Sequence, residues 1–358
     1  MAAEVLAEGG AHVIIHDHMP APARKFLLAG RGGLNLTHSE PLDKFLERYG
    51  EAKDFLESAI RAFPPDALIA WANGLGIETF IGSSGRVFPK QMKASPLLRA
   101  WLKRLGGLGV TLQTRSRWQG FDGTRTILAM GGATWPHLGS DAAWVPILQS
   151  ASITVNPFKP SNGRFLVNWS QVFRERFAGT PVKNVVLTYA GHRVRGEVMI
   201  SHEGIEGGAI YALSRGLREM PGHPLVIDLR PDLTVETLNA RLTRPRGKDS
   251  QSNYLRKAAG LSPVAISLLR ETGTAADAAG IKAVQLQIPR PAGIARAISS
   301  AGGVSREEVD GDFQLKKVPG VYAIGEMLDW EAPTGGYLLQ ACFSTAVAAA
   351  RALLKTRE

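Results

Sequence analysis

The sequence predicts an α/β protein in which a Rossmann-like domain is assembled from both ends of the chain and a β-rich domain with a small helical subdomain is inserted between them. Three observations carry this. Residues 2–9 (AAEVLAEG) read as an amphipathic helix closed by Gly9 and Gly10, followed by a strand, His12 to Asp17, that ends in an acid. Residues 318–340 read as a short buried strand (Val321 to Ile324), a turn opening with Gly325 and Glu326, and a Pro-Thr-Gly-Gly mouth leading into an Ala-rich helix. Between them, from Asn156 to about Asp232, the pattern changes to short alternating strands separated by Gly, Pro and Asn. The expected boundaries are 1–155 with 292–358 for the first domain, 156–233 with 284–291 for the β-rich domain and 234–283 for the helical insertion.

Composition bounds the function. The chain has 358 residues, 44% hydrophobic and 21% charged, enough for two or three cored domains. No apolar run is expected to approach the roughly 18 to 20 residues of a membrane span, and acids stand where a secretion signal would be basic, so the expected place is the cytoplasm without a membrane partner. The single cysteine, Cys342, excludes a Cys-x-x-Cys redox pair and is expected buried and inert. A net charge of +10 is spread over scattered Arg and Lys, which reads as a solvated basic surface, with no nucleic-acid partner expected. Walker-type loops, G-x-S-x-G and His/Cys metal clusters are not found, so no metal site is expected.

Taken in order, Asp17 closes its strand where a dinucleotide-binding βαβ unit places the ribose-binding acid. Arg24 and Lys25 precede a glycine-rich loop, Gly30, Arg31, Gly32, Gly33 and Asn35. Helices are expected over 41–72 with Phe45, Leu46, Tyr49, Phe55, Leu56 and Ile60 in the core, and Arg86 and Lys93 are candidates for anionic groups. A helix from Ser95-Pro96 to Leu105 precedes a strand at Val110–Gln113. Residues 118–126 hold a short hairpin at best, and a strand from Leu128 ends in Gly131 and Gly132. In the β-rich part His202, with Glu203, sits in a loop after a strand, and an imidazole is the side chain best suited to proton transfer near neutrality. Gly302 and Gly303 permit close backbone approach. The C-terminal stretch is a cofactor cradle by its physics: Gly325, Gly335 and Gly336 clear space, Glu326 and Asp329 accept hydroxyl bonds, and a helix N-terminus offers N–H groups after Thr334.

GEMLD followed by PTGGYLLQ resembles the bacterial YhiN-like (BaiN-type) NAD(P)/FAD-dependent oxidoreductase family of two-dinucleotide-binding flavoproteins. Further blocks in the same order are GRGGLNLTHSE (30–40), GRVFPKQMKAS (85–95), LAMGGATWPHLGS (128–140), GEVMISHEGIEGGA (196–209) and SSAGGVSREEVD (299–310). The resemblance implies FAD, NAD(P)H as possible reductant, hydride transfer through flavin and a small-molecule substrate. It implies FAD contacts from Arg31, Gly32, Gly33, Asn35, Gly131 and Gly132, with Glu326 and Asp329 on the ribityl hydroxyls and Tyr337 and Gln340 near the ring or substrate. It brings His202 near the flavin and makes His202 and Tyr337 the catalytic candidates. Family members carry a strand and glycine-rich turn before the MAAEVLAEGG helix and a β-meander near 118–126; this chain is expected to lack both. The alternative is therefore a truncated or degenerate flavoprotein that neither holds FAD nor catalyses.

Overall fold

The computed structural model describes residues 1–30 and 32–356, which form two units: Met1–Lys159 with Ile294–Glu358, and Pro160–Gly293.

The first unit opens with the helix Ala2–Glu8 and strand β1, Ile14–Asp17. Both were expected, but β1 is shorter and is not buried. Ile14 stays 42% exposed, because β1 pairs only with β5 (Thr111–Thr114), in parallel, and no third strand covers the pair among the described residues. Between them β2 (Thr37–His38), β3 (Thr79–Ile81) and β4 (Arg86–Pro89) form an antiparallel sheet ordered β2-β4-β3. The expected helices appear as Leu42–Leu46, Lys53–Ala62, Pro65–Gly74 and Ala94–Gly107. Pro65 and Pro96 lie in first turns, where a missing N–H costs nothing.

No hairpin forms between Thr114 and Thr126. Strand β6 is Thr126–Leu128 and stops before Gly131, where φ turns positive (+71°) and the chain leaves extended conformation. Strand β7 (Val155–Ser161) then leads out of the unit.

The second unit is one six-stranded sheet. Its strands β8 (Phe165–Leu166), β9 (Pro181–Tyr189), β10 (His192–Ser201), β11 (Gly204–Glu206), β12 (Leu225–Asp228) and β13 (Val284–Leu286) follow the order β13-β12-β9-β10-β11-β8. The expected helical stretch is Val235–Leu242, Gln251–Ala259, Pro263–Glu271 and Ala278–Lys282, and its apolar residues share a single core with the sheet. Leu238, Leu255 and Leu268 pack with Leu187, Ile227 and Val284, because neither short amphipathic helices nor one face of a sheet can bury themselves alone.

Back in the first unit, β14 (Ser299–Val304) is wholly buried beside β7, and β15 (Val321–Ala323) pairs in parallel with β6. The C-terminal helix Tyr337–Lys355 packs on Lys53–Ala62 and Ala2–Glu8 and forms the middle of the core. By length and composition this helix could cross a membrane, which corrects the expectation that no run approaches such a length; 67% of its apolar window is buried inside the protein. Ala341, Ala346, Ala349 and Ala350 are buried along it.

Candidate functional site

In α/β units ligands gather at the carboxyl ends of parallel strands. Here two parallel pairs end at Asp17 and Thr114 and at Leu128 and Ala323, and the loops leaving them carry most of the candidate residues.

At the first pair the Asp17 Oδ1 accepts the Met19 N–H at 2.8 Å, while its carbonyl accepts the Ser116 N–H at 3.0 Å. His16 Nδ1 meets Ser116 Oγ at 2.8 Å, so the loops after β1 and β5 are tied together. Gly139 presses on this corner: at φ +100°, a Cβ there would lie 2.8 Å from Met19 Cγ.

At the second pair the Lys25 ammonium donates to Glu326 Oε2 at 2.5 Å and to Thr134 Oγ1 at 2.6 Å. The other oxygen of Glu326 accepts the Ser300 N–H at 3.1 Å, and the Ala133 N–H donates to Ser300 Oγ at 3.3 Å. Gly132 makes this possible, since a Cβ there would fall 1.9 Å from Ser300 Oγ. Four separate segments thus meet in one polar cluster. Thr134 and Ser300 were not singled out from the sequence; the signal was a small hydroxyl residue beside the glycines of GGATW and SSAGG.

A dinucleotide needs cations for its phosphates and acceptors for its hydroxyls. The cluster has one of each, in Lys25 and Glu326, and Asp17 and half-buried Arg24 stand on the chain segment that runs from β1 to Lys25. Ser140 adds a sharper observation. Its hydroxyl is buried without a partner, 3.4 Å from where a Cβ on Gly131 would stand. A buried orphan hydroxyl against bare glycine backbone is the arrangement a ligand oxygen would complete, so the residues fit such a cofactor.

Other expected contacts are already satisfied by protein. Gly302 and Gly303 do permit close approach, but of other backbone: a Cβ would fall 2.3 Å from Pro157 O and 2.4 Å from Met327 O respectively. Gly336 presses on Thr37 (Cβ position to Cα, 2.4 Å) and Gly30 on Ala94 (2.6 Å to Cβ). Gly33, at φ +110°, faces the Met92 side chain, Gly32 faces open space, and Arg31 lies outside the described residues. Asn35, with its amide turned to satisfy both ends, donates to Thr37 O at 3.0 Å and accepts the Gly336 N–H at 3.3 Å, beside the mouth of the C-terminal helix. That helix has no side-chain cap. Gly335 lies at φ +134° against the Tyr337 ring, and Thr334 is half-buried beside it. Gly325, at φ +71°, donates its N–H to Thr345 Oγ1 at 3.1 Å, and Asp329 Oδ2 accepts from the Asn156 amide at 2.7 Å.

Gln340 and Tyr337 are buried and hydrogen-bonded to protein. Gln340 is 0% exposed; its oxygen accepts from Thr37 Oγ1 at 2.7 Å and its nitrogen donates to Phe63 O at 2.8 Å, leaving nothing to offer a ring or substrate. Tyr337 is 5% exposed and donates to Glu40 Oε1 at 2.5 Å, with His38 stacked on it. Burial, then the Glu40 carboxylate, push its phenol well above the ordinary value. The ring is a core anchor for the helix start. Cys342 is partly buried rather than buried as expected, and its thiol is pushed up to about 12 by that burial and by Glu326. His202 lies in the exposed turn between β10 and β11 of the second unit. Among the described residues no His, Cys, Asp and Glu group is placed to hold a metal.

Comparison with known proteins agrees with this architecture. The chain is 25% identical to the 3-dehydro-bile acid delta(4,6)-reductase of Clostridium scindens, over 97% of this chain and 93% of that one. It is 24% identical to the ribosomal RNA dihydrouridine synthase of Escherichia coli, over 98% and 94%. Among solved structures it resembles a flavocytochrome c3 fumarate reductase in its open conformation, with a TM-score of 0.52 and 16% identity over 99% of this chain and 76% of that one. Residues 1–352 match the family described as HI0933-like protein Rossmann domain, and the chain belongs to that family.

Proposed function

We propose that the protein is an FAD-dependent oxidoreductase that uses NAD(P)H as reductant and saturates a carbon–carbon double bond activated by a carbonyl group. The single observation that carries the reading is the match of nearly the whole chain to the HI0933-like family, a flavoprotein family, and the cluster at the strand ends has the matching donors. The double bond is suggested by the printed names of the two curated relatives, which both denote saturation of one.

In this reading Arg24 and Lys25 neutralise the phosphates, and Asp17 and Glu326 accept from ribose and ribityl hydroxyls. Ser140 completes its bonding on the ligand. Asn35 and Gly336 shape the helix mouth, whose dipole favours negative charge on the pyrimidine edge. Bound flavin would supply reversible hydride acceptance and donation. His202 is the proposed proton donor to the carbon next to the carbonyl.

The test is an absorbance spectrum of the purified chain after incubation with FAD, then anaerobic mixing with NADH and with NADPH. Retained flavin that bleaches with one of them is expected. Flavin neither retained nor bleached would leave the fold without the activity.

A second substrate reading rests on charge. Residues 160–293 hold eighteen Lys and Arg against eleven Asp and Glu, most of the chain's excess. Together with the printed name of the relative that denotes action on ribosomal RNA, this favours a uracil base in RNA as a second reading beside the expectation of a small-molecule substrate. Reoxidation of the reduced flavin by an unsaturated steroid or by a uridine-containing RNA separates the two.

A further inference from the structure

The flavin reading leaves unused a recess of about 320 Å³ in the second unit, on the helical side of its sheet. Arg176, Arg256 and Arg270 line it, with Ser252 and Asn253 between them, and no carboxylate does. Arg270 donates to Ser252 Oγ at 2.6 Å and Arg256 to Asn253 Oδ1 at 2.8 Å. Among the described residues none of the three arginines is ion-paired, although the Asp249 carboxylate is near enough to Arg256 to be favoured by its charge, so three like charges line the recess with a carboxylate acting on one of them alone. Such an arrangement is stable in water and favourable only to an anion rich in oxygens. Pro263 and Ile266 give one wall an apolar surface, suited to a sugar or base edge.

The positive charge continues beyond the recess. Residues 241–257 hold six Lys and Arg and one acid, Asp249, which is already engaged by Lys257 at 2.9 Å. Arg244, Arg246 and Lys248 are exposed along this run, too many cations for a single phosphate and well spaced for a strand of them.

We infer that the recess and the 241–248 run grip the phosphate backbone of an RNA strand. The inference rests on the RNA substrate reading above and names the surface that would serve it.

The test is fluorescence anisotropy of the full chain with a labelled uridine-containing RNA of about 20 nucleotides, titrated at several salt concentrations. Single strands lose about 0.7 in the slope of log K against log salt per phosphate contact. The triple variant R176Q/R256Q/R270Q should therefore show a slope shallower by about 2 and a clear loss of affinity at moderate salt. The triple R99Q/K90Q/K103Q removes the same charge from the first unit and should leave the slope unchanged, and R270Q alone should show about a third of the effect. Wild-type protein that binds no RNA would sink the substrate reading together with the inference. Wild-type binding that the recess triple leaves unaltered, or that both triples weaken equally, would sink the inference alone. Displacement of the RNA by low-millimolar inorganic phosphate would also overturn it, by assigning the recess to a small phosphate.

Discussion

Glu4 is the one carboxylate buried in the first helix, and replacing it should cost more than any change on that helix's surface. It is 2% exposed and accepts from Arg104 Nη1 at 2.7 Å, from Trp101 Nε1 at 2.7 Å and from Trp71 Nε1 at 3.0 Å. The bonds join residues up to 100 positions apart and hold the helix Ala2–Glu8 against Pro65–Gly74 and Ala94–Gly107. Removing one partner of a buried ion pair costs about 3–5 kcal/mol. The Arg104 side chain is 34% exposed and can regain water, so the low end, about 3 kcal/mol, applies to Glu4→Ala. At about 2–4 °C per kcal/mol for a unit of this size, the melting temperature should fall by about 6–12 °C. Glu4→Gln keeps one acceptor and should lose about half as much. Melting followed by far-ultraviolet circular dichroism and by tryptophan fluorescence reads both. A melting temperature within about 1 °C of wild type for Glu4→Ala would refute the reasoning, as would strict additivity in the double variant Glu4→Ala, Arg104→Met.

Other outcomes follow from the same geometry. Lys25→Met removes the cation that joins Thr134 to Glu326 and should weaken FAD retention about tenfold, one charged hydrogen bond's worth, in a fluorescence titration; unchanged affinity would remove Lys25 from the site. Gly302→Ala sets a methyl 2.3 Å from Pro157 O at φ +87° and should destabilise by about 2–4 kcal/mol, whereas Gly10→Ala, at φ +77° in open space, should cost about 1 kcal/mol. Equal losses in thermal melts would show that the close approach does not matter. Glu308 carries a pH dependence. Burial raises its pKa, but hydrogen bonds from Lys317 and Thr154 outweigh it and hold the carboxyl at about 2. The folded value lies below the unfolded one, so the contribution is complete above about 4.5 and is lost as pH falls from there toward 2. Glu308→Gln should flatten acid destabilisation in that window, and an unaltered acid melting curve would contradict it.

Much of the local structure was legible in the sequence because it depends on short-range chemistry. The long strands of the second unit and its helices between Val235 and Lys282, the helices after Pro64 and Lys93, and the C-terminal strand, turn and helix follow from periodicity, proline position and glycine, whereas the helices Gln171–Phe177, Gly208–Ala212 and Ser214–Glu219 were not expected. The family was legible for the same reason, as ordered blocks of glycine-rich turns. The site was less so. Lys25 and Glu326 were both named, yet their pairing across 301 positions, and the parts played by Thr134, Ser140 and Ser300, are properties of packing.

The same distinction holds at the C-terminal helix. Gln340 and Tyr337 stand one helical turn apart in a motif that suggests a ligand, but the tertiary structure supplies Thr37, Phe63 and Glu40 as partners and buries both side chains. Gly302, Gly303 and Gly336 advertise a close approach without saying to what, because a glycine records only missing volume. Sequence by itself determined most of the longer strands and helices and which family they build, but not the short strands of the β2-β4-β3 sheet. Tertiary structure decided which of the glycines and polar groups face protein and which are left open, since that depends on contacts between residues far apart in the chain.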